Sequence, residues 1–158
     1  MEPARKRAKT NRHTDEIAWQ KHENYNEALT VILEEVGVYE KVLGNMTKFK
    51  AYSKAVKALT AHSQAVKSGD EAKLIDGIGL KIGKKIDEIL ATGRLAKLDK
   101  LHANEEVNAI RLFQRITGVG PSAAIKWVRE KGYRTLADLS KEPLNAHQAI
   151  GKSHYLGK

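Results

Sequence analysis

The sequence predicts an all-α fold made of two small helical domains. Apolar residues recur at spacings of three and four along most of the 158-residue chain, as they do on the buried face of a helix. Strand-like alternation of apolar and polar residues is nowhere sustained. A glycine-bent corner also occurs twice, each time directly before a predicted helix, so each domain is expected to contain one helix-hairpin-helix motif.

Composition and charge narrow the classes of function. Cysteine is absent, which excludes disulfides, thiolate metal sites and a cysteine nucleophile. The net charge of +9 favours a polyanionic partner, because binding releases the counterions of nucleic acid. Residues 13–43 carry seven acidic and two basic residues, whereas residues 45–100 carry twelve basic and six acidic ones. The second stretch is therefore the predicted nucleic-acid face, and no apolar run is long enough to predict a membrane partner.

Residues 1–23 are expected to form a disordered basic tail. The run from Pro3 to Lys9 contains Arg5, Lys6 and Arg7 and has few apolar residues, so it cannot repay the entropy lost on ordering. Such a cluster serves either nuclear import or the holding of DNA, and both interpretations stay open. A nuclear location is the expectation.

Residues 24–99 are expected to form the first domain, with four helices. Their predicted apolar faces are Ala28, Leu29, Ile32, Leu33, Val36, Tyr39 and Leu43; then Phe49, Tyr52, Val56 and Leu59 in a helix over 47–61; then Ile82, Ile86, Ile89 and Leu90 in a helix over 79–91. The short third helix begins at Ser68, where Glu71 completes a capping-box pattern. Gly44 and Gly93 are predicted helix stops.

Residues 103–158 are expected to form the second domain. Val107, Ile110, Leu112, Phe113 and Ile116 begin it, and Ala124, Ile125, Trp127 and Val128 supply the apolar face of the helix after Pro121. Thr135 and Asp138 predict another capped helix, and a short last helix is expected after Asn145. Trp127 and Trp19 are expected to anchor a core or linker rather than to stack on bases.

The repeated corner predicts phosphate binding. It reads apolar-polar-Gly-apolar-Gly at residues 75–79, which contain Gly77, Ile78 and Gly79, and at residues 116–120, which contain Gly118, Val119 and Gly120. Glycine permits a positive-φ turn and keeps side chains away, so amides at a helix N-terminus can meet a phosphate. Cationic residues follow both corners, namely Lys81, Lys84 and Lys85, and then Lys126 and Arg129. One Gly-x-Gly can be an ordinary turn between helices, but two copies in a basic chain favour DNA backbone contacts.

From about Ala28 to Tyr155 the chain resembles the amino-terminal portion of the X-family DNA polymerases of the DNA polymerase beta type. The matching stretches run in order: residues 50–55 (KAYSKA), 67–69 (KSG), 84–88 (KKIDE), 90–93 (LATG), 118–124 (GVGPSAA) and 135–139 (TLADL). The resemblance implies a lyase domain followed by a second helix-hairpin-helix subdomain. It implies binding to gapped, nicked or abasic DNA without sequence preference, with Ser122 among the backbone contacts.

The same resemblance implies a monovalent cation, Na+ or K+, at each hairpin. Backbone carbonyls would hold it, at Lys73, Ile75 and Ile78 in the first hairpin and at Gln114, Ile116 and Val119 in the second. No cofactor is expected for lyase chemistry. The expected partner is DNA, with repair proteins as further candidates, and a monomer is expected.

A lysine nucleophile follows from the resemblance as well. It implies removal of a 5′-deoxyribose phosphate through a Schiff base on Lys85, with Lys48, Tyr52, Lys73, Lys81 and Lys97 holding phosphate or shaping the pocket. An amine nucleophile must be deprotonated, whereas a free lysine has a pKa of about 10.4. Lys81 one turn away, Lys84 next in sequence and the nearby isoleucine stripe would lower the pKa of Lys85 by like charge and desolvation.

Two positions depart from the family pattern, and alternatives to a lyase remain. Lys84 stands where the family usually has a carboxylate, and Thr47 stands where it usually has histidine. One alternative is a non-catalytic binding module in which the lysines serve only as phosphate contacts, and a protein-interaction domain is a third interpretation. Polymerisation by this chain alone is not expected, because the sequence ends before the palm in which the family places its metal-binding aspartates.

Overall fold

The computed structural model describes residues 23–142, and within that range it is all helical with no strand. The helices are α1 Glu27–Val42, α2 Met46–Ala61, α3 Gly69–Ala72, α4 Leu80–Thr92, α5 Ala96–Ala103, α6 Glu105–Phe113 and α7 Pro121–Arg129, followed by a 3-10 helix at Leu136–Lys141. The predicted fold class is confirmed. The expectations for residues 1–22 and for a helix after Asn145 lie outside the described residues.

Helices α1 and α2 pack side by side and form the base of the first core. Their buried side chains include Leu29, Leu33, Val36, Tyr39, Tyr52, Ala55 and Leu59. The spacing of three and four in the sequence predicted this face, with five differences. Ala28 is exposed, and the other four residues are only half-buried: Ile32, Leu43, Phe49 and Val56.

The α1 N-terminus is attached to the far end of α2 by one buried amide side chain. Asn26 is 3 % exposed. Its Nδ2 donates to the carbonyls of Leu59 (3.1 Å) and Gln64 (3.0 Å), and its Oδ1 accepts from the amide of Val66 (2.8 Å). Buried backbone groups need such partners, so Asn26 satisfies a segment that has no helical hydrogen bonds of its own.

Helix α4 is seated in the first core by an isoleucine stripe. Ile82, Ile86 and Ile89 are buried as predicted, whereas Leu90, predicted in the core, is 43 % exposed because it lies one position past the stripe. Gly93 ends the helix in the left-handed conformation (φ 76°), as predicted. The predicted cap at Ser68 is confirmed, since its Oγ accepts from the amide of Glu71 at 3.0 Å.

Helix α5 was not predicted as a helix. It ends at Asn104, which is also the N-cap of α6 and accepts from the amide of Val107 at 3.0 Å. Leu95 and Leu98 bury its inner face in the first core. Because α5 and α6 share Asn104, the polar stretch 103–106 is a tight corner between two helices.

The second core lies among α6, α7 and the 3-10 helix. Phe113 and Trp127 pack edge to face with ring centroids 5.9 Å apart, and Trp127 is 5 % exposed, as expected of a core residue. The predicted Thr135–Asp138 capping box is confirmed, although the helix that it caps is 3-10 rather than α.

The two cores are joined through the end of α1. Val42 packs in the second core and Val107 in the first. Arg111 donates to the hydroxyl of Tyr39 at 3.0 Å, and the Gln114 side chain donates to the Val42 carbonyl.

The domain boundaries at 99 and 103 stay predictions. In the described part of the chain, no helix is long and apolar enough to cross a bilayer.

Replacing Asn26 with alanine should lower the free energy of unfolding by about 1–3 kcal/mol, because the buried Val66 amide loses its partner and the Leu59 carbonyl keeps only the bond from the His62 amide. Urea denaturation followed by circular dichroism measures the change. Asn108→Ala is the matched control, since Asn108 makes one exposed bond to the His102 carbonyl and should cost less than about 1 kcal/mol. Equal losses for the two variants would contradict this role of Asn26.

Candidate nucleic-acid interface and lysine pocket

The first hairpin, residues 75–79, turns sharply into α4. Gly77 has φ 102°, a conformation that side chains other than glycine rarely adopt. The amide of Ile78 donates to the Ile75 carbonyl at 3.2 Å and closes the turn. Ile78 is 6 % exposed and packs in the first core, as predicted for the residue between the glycines. The hairpin is thus held from inside and is exposed at Asp76 and Gly79, while the stem of Lys54 lies against Gly77.

The second hairpin, residues 116–120, repeats this geometry on the second core. Gly118 has φ 87°, and the Val119 amide donates to the Ile116 carbonyl at 3.1 Å. Val119 is 8 % exposed and faces the core. Pro121 occupies the first turn of α7, where its missing amide costs nothing. The sequence repeat is therefore a structural repeat.

Each hairpin leads directly into a helix whose N-terminus has no side-chain cap. Gly79 and Gly120 are the N-caps of α4 and α7, both extended, and neither helix has a side-chain cap. A Cβ built at either glycine would have no atom within 4 Å. Ser122 is exposed in the first turn of α7. Amides and dipole at such an end favour an anion, so both ends can accept a phosphate oxygen.

A pocket of about 330 Å³ lies beside the first hairpin. It is lined by Lys48, Ala51, Tyr52, Lys81, Ile82, Lys85 and Lys97, and we call it the lysine pocket. Helix α2 supplies the first three of these residues, α4 the next three, and α5 supplies Lys97. Five of the six residues proposed from the sequence for the lyase site are brought together here.

Lys85 is half-buried on α4, beside the isoleucine stripe. Burial lowers the pKa of the Lys85 ammonium below its ordinary value, and the charges of Lys97 and Lys81 lower it further. The carboxylates of Glu40 and Glu88 act in the opposite direction but do not cancel the effect. Lys85 is therefore the pocket lysine whose environment favours the neutral, nucleophilic amine.

Lys97 is held by a buried carboxylate. Its Nζ lies 2.7 Å from Oε2 of Glu40 and 5.7 Å from the centroid of the Tyr52 ring. Burial alone would lower the pKa of Lys97, but the hydrogen bond to Glu40 outweighs it and raises that pKa. Burial would raise the pKa of Glu40, yet its bonds to Lys97 and Asn45 hold that pKa low. Both groups are therefore charged at neutral pH.

Tyr52 closes the inner side of the pocket. It is 5 % exposed, and burial raises the pKa of its phenol above the ordinary value. The hydroxyl therefore stays protonated at neutral pH, so it can donate a hydrogen bond to a bound anion.

Lys73 and Lys84 lie outside the lining of the lysine pocket. Lys73 pairs with Asp70 at 2.9 Å, and its stem would contact a Cβ at Gly83, so it packs over the α3–α4 contact. Lys84 is exposed. The substitution of lysine for the family's usual carboxylate therefore falls beside the pocket rather than in its wall.

The two acidic residues after Lys85 have structural partners. Oδ1 of Asp87 accepts from the amide of Gly69 at 2.7 Å and so fixes the start of α3. Oε2 of Glu88 accepts from the amide of Ala96 at 2.7 Å, at the start of α5. Both carboxylates therefore orient the helices around α4.

Glu40 is the buried partner of a pocket lysine that the sequence did not single out. It lies among acidic residues of α1 that are mostly exposed, so composition alone gave no reason to single it out. The available signal was position: Glu40 follows Val36 and Tyr39 at helical spacing and therefore falls on the buried face. A carboxylate there must have a buried partner.

The carbonyl positions proposed for cations have equivalent geometry in the two hairpins. Ile75 and Ile116 each accept the turn hydrogen bond with one lone pair, which leaves the second free. Hard carbonyl oxygens fit an alkali cation. Among residues 23–142, no cluster of three His, Asp or Glu side chains suits another metal.

Two models of known protein families match this chain, and each match contains one of the two hairpins. A helix-hairpin-helix domain model matches residues 24–95, and a model of the fingers domain of DNA polymerase lambda matches residues 111–156. The chain is 38 % identical over 137 residues to DNA polymerase lambda of Rattus norvegicus, which covers 86 % of this chain and 23 % of that protein. It is 36 % identical over 121 residues to DNA polymerase lambda of Arabidopsis thaliana, covering 76 % and 22 %.

A DNA nucleotidylexotransferase of Oncorhynchus mykiss is 29 % identical over 137 residues, covering 84 % of this chain and 27 % of that protein. The chain thus spans about a quarter of the length of these curated relatives.

The two glycines of the first hairpin should respond differently to the same substitution. Gly77→Ser should lower the free energy of unfolding by about 1–2 kcal/mol, because φ is positive and the new Cβ would lie 3.2 Å from Cγ of Lys54. Gly79→Ser is the control: its backbone is extended, its surroundings are open and serine is a good N-cap, so stability should hold within about 0.5 kcal/mol. Thermal and urea unfolding measure both, and a stable Gly77→Ser protein would contradict the turn geometry.

Proposed function

We propose, from its homology to the X-family DNA polymerases in the region with a helix-hairpin-helix domain and a fingers domain, that this chain is a DNA-repair module. It binds gapped or nicked DNA by the backbone and removes 5′-deoxyribose phosphate by lyase chemistry on Lys85. The single observation that supports the chemistry is the lysine pocket, which surrounds Lys85 with three further cations and an apolar wall.

Binding would use the two hairpins together. Each presents unobstructed amides at a helix end, and phosphate contacts of this kind position DNA without reading bases. Their separate placement on two cores lets them grip two segments of backbone on either side of a gap. Binding should therefore be sensitive to salt and indifferent to sequence.

The lysine pocket would hold the sugar phosphate. Within residues 23–142, Lys48 and Lys81 have no carboxylate within 4 Å, so their charge is available to a phosphate. Tyr52 and Ile82 give the pocket an apolar side against which the sugar can lie. Lys73 lies over Gly83, so it would contact the DNA backbone outside the pocket rather than the reacting sugar.

The proposed reaction is a Schiff-base β-elimination. The neutral Nζ of Lys85 attacks C1′ of the ring-opened sugar aldehyde, and loss of water gives a protonated imine. Water in the open pocket takes the C2′ proton, the C3′–O bond breaks, and the electron pair leaves with the 5′-phosphate of the downstream DNA. A second water then hydrolyses the conjugated imine and returns Lys85 as a free amine.

A monovalent cation at each hairpin is part of the proposal. The carbonyls of Lys73, Ile75 and Ile78, and of Gln114, Ile116 and Val119, would hold Na+ or K+, which supplies positive charge toward a phosphate.

The assignment to a DNA polymerase beta type in particular also stays a prediction, since the relatives named above are lambda polymerases and a nucleotidylexotransferase. A nuclear location is proposed from the basic run at Arg5–Arg7 together with this relationship.

Borohydride reduction should trap the chain covalently on incised abasic DNA, and Lys85→Ala should abolish the adduct by removing the nucleophile. Lys84→Ala is the control, because Lys84 is adjacent but outside the pocket, and it should trap. Gel analysis of the adduct gives the readout. A wild-type protein that binds this DNA without trapping would support the alternative of a non-catalytic helix-hairpin-helix module.

Lys81→Ala should weaken binding to gapped DNA and reduce the slope of log affinity against log salt by about 1, because one phosphate contact is lost. Fluorescence anisotropy at several salt concentrations measures the slope. Lys131→Ala is the control, since Lys131 is paired with Glu142 at 2.6 Å and its charge is already matched. Equal slopes for Lys81→Ala and wild type would show that Lys81 does not contact phosphate.

A further inference from the structure

We propose that Glu40 is a positioning residue of the lyase, which fixes the ammonium of Lys97 in the wall of the lysine pocket beside Lys85. This inference rests on the proposed function, and it adds a residue that never touches the substrate. Its basis is a buried carboxylate at the back of a pocket otherwise lined by cations.

The carboxylate of Glu40 is fully engaged. The residue is 3 % exposed, Oε2 pairs with Nζ of Lys97 at 2.7 Å, and Oε1 accepts from Nδ2 of Asn45 at 2.9 Å. The backbone reinforces this, because the Asn45 amide donates to the Glu40 carbonyl at 2.8 Å. Glu40 therefore joins the end of α1, the α1–α2 turn and helix α5.

Stability alone is a weak reason for such a pair. Taking two charges out of water costs about as much as their attraction returns, so apolar residues of the same shape would serve packing as well. What an ion pair adds is geometry: Lys97 can stand in only one place while Glu40 is buried opposite it. The place is 5.7 Å from the Tyr52 ring centroid and on the pocket wall.

The position of Lys97 matters for Lys85. The charge of Lys97 is the largest electrostatic cause, after burial, that lowers the pKa of Lys85, and it exceeds the opposing effect of Glu40. The other groups that face this cluster are Lys48 and Tyr52 from α2 and Lys81 and Glu88 from α4. Among them Lys97 is the cation that a buried partner holds in place.

If Glu40 is replaced by an apolar residue, Lys97 should leave the pocket for solvent. Lys85 then loses more positive than negative influence, so its pKa should rise toward the ordinary value. The rate of elimination depends on neutral Lys85 and should therefore need a higher pH. A residue that only supports the fold would reduce the rate by the same factor at every pH.

The test compares the pH dependence of single-turnover strand elimination for the full chain, Glu40→Met, Lys97→Met and the double variant. Each single variant should move the acid limb of the rate profile to higher pH, and the double variant should move it no further, because both changes remove the same cation. An unmoved limb in Glu40→Met, or one that moves to lower pH, would overturn the proposal.

Glu35→Met is the matched control. It removes a carboxylate from the same helix, but Glu35 pairs with His102 away from the pocket, so the acid limb should stay in place. If Glu40→Met does not fold, nitrogen-detected NMR of the unmodified chain decides instead. The Lys97 ammonium should show restricted motion and a hydrogen bond to the Glu40 carboxylate, and motion as free as that of exposed Lys84 would refute the proposal.

The outcome is separable from that of the proposed function. If the wild-type chain forms no Lys85-dependent adduct with borohydride, the lyase itself is wrong. If the adduct forms and Glu40→Met keeps the wild-type pH profile, the lyase stands and the positioning role of Glu40 fails.

Discussion

The burial of one face of α4 positions the first hairpin and the α4 wall of the lysine pocket, Lys81, Ile82 and Lys85. The side chains of Ile82, Ile86 and Ile89 are buried, and burial of each stabilises the fold by about 1.5–3 kcal/mol. This burial fixes the rotation of the helix about its axis. With that face inward, the N-terminus of α4 points its amides outward from the first hairpin, and Lys85 lies half-buried at the edge of the stripe. Close approach at its far side depends on glycines, since a Cβ at Gly69 would lie 2.0 Å from the Gly83 carbonyl oxygen.

The second constraint is electrostatic. Four lysines line one small pocket, and like charges at this distance repel unless something offsets them. Glu40 offsets the charge of Lys97 from behind, on the buried side of the pocket. The others remain exposed to the solvent side, where a phosphate would complete the charge balance. The charge of the pocket lining thus favours an anionic occupant.

The repeated hairpin has a simple structural logic. In each copy a positive-φ glycine makes the turn, a buried aliphatic residue anchors it, and an extended glycine opens the helix end. The two copies sit on different cores that meet at the end of α1, where Val42 and Val107 each pack across. The Gln114 side chain and the Val42 carbonyl add a polar contact close to the second hairpin. The two hairpins are therefore set on one connected body of helices.

The sequence by itself determined the helical class, both hairpins and most of the buried faces, because these follow from local rules: spacing of apolar residues, glycine at strained turns and side-chain caps at Ser68 and Thr135. It also predicted that Lys85 would be desolvated beside the isoleucine stripe. Helix α5 was missed because eight residues with only two leucines give a weak periodic signal. Only the tertiary structure decided that Lys73 and Lys84 stay out of the pocket and that Glu40 lies behind it, paired with Lys97. These placements depend on how α1, α2, α4 and α5 pack against one another. Glu40 and Lys97 are more than 50 positions apart, and the spacing of residues along one helix does not predict contacts over such a distance.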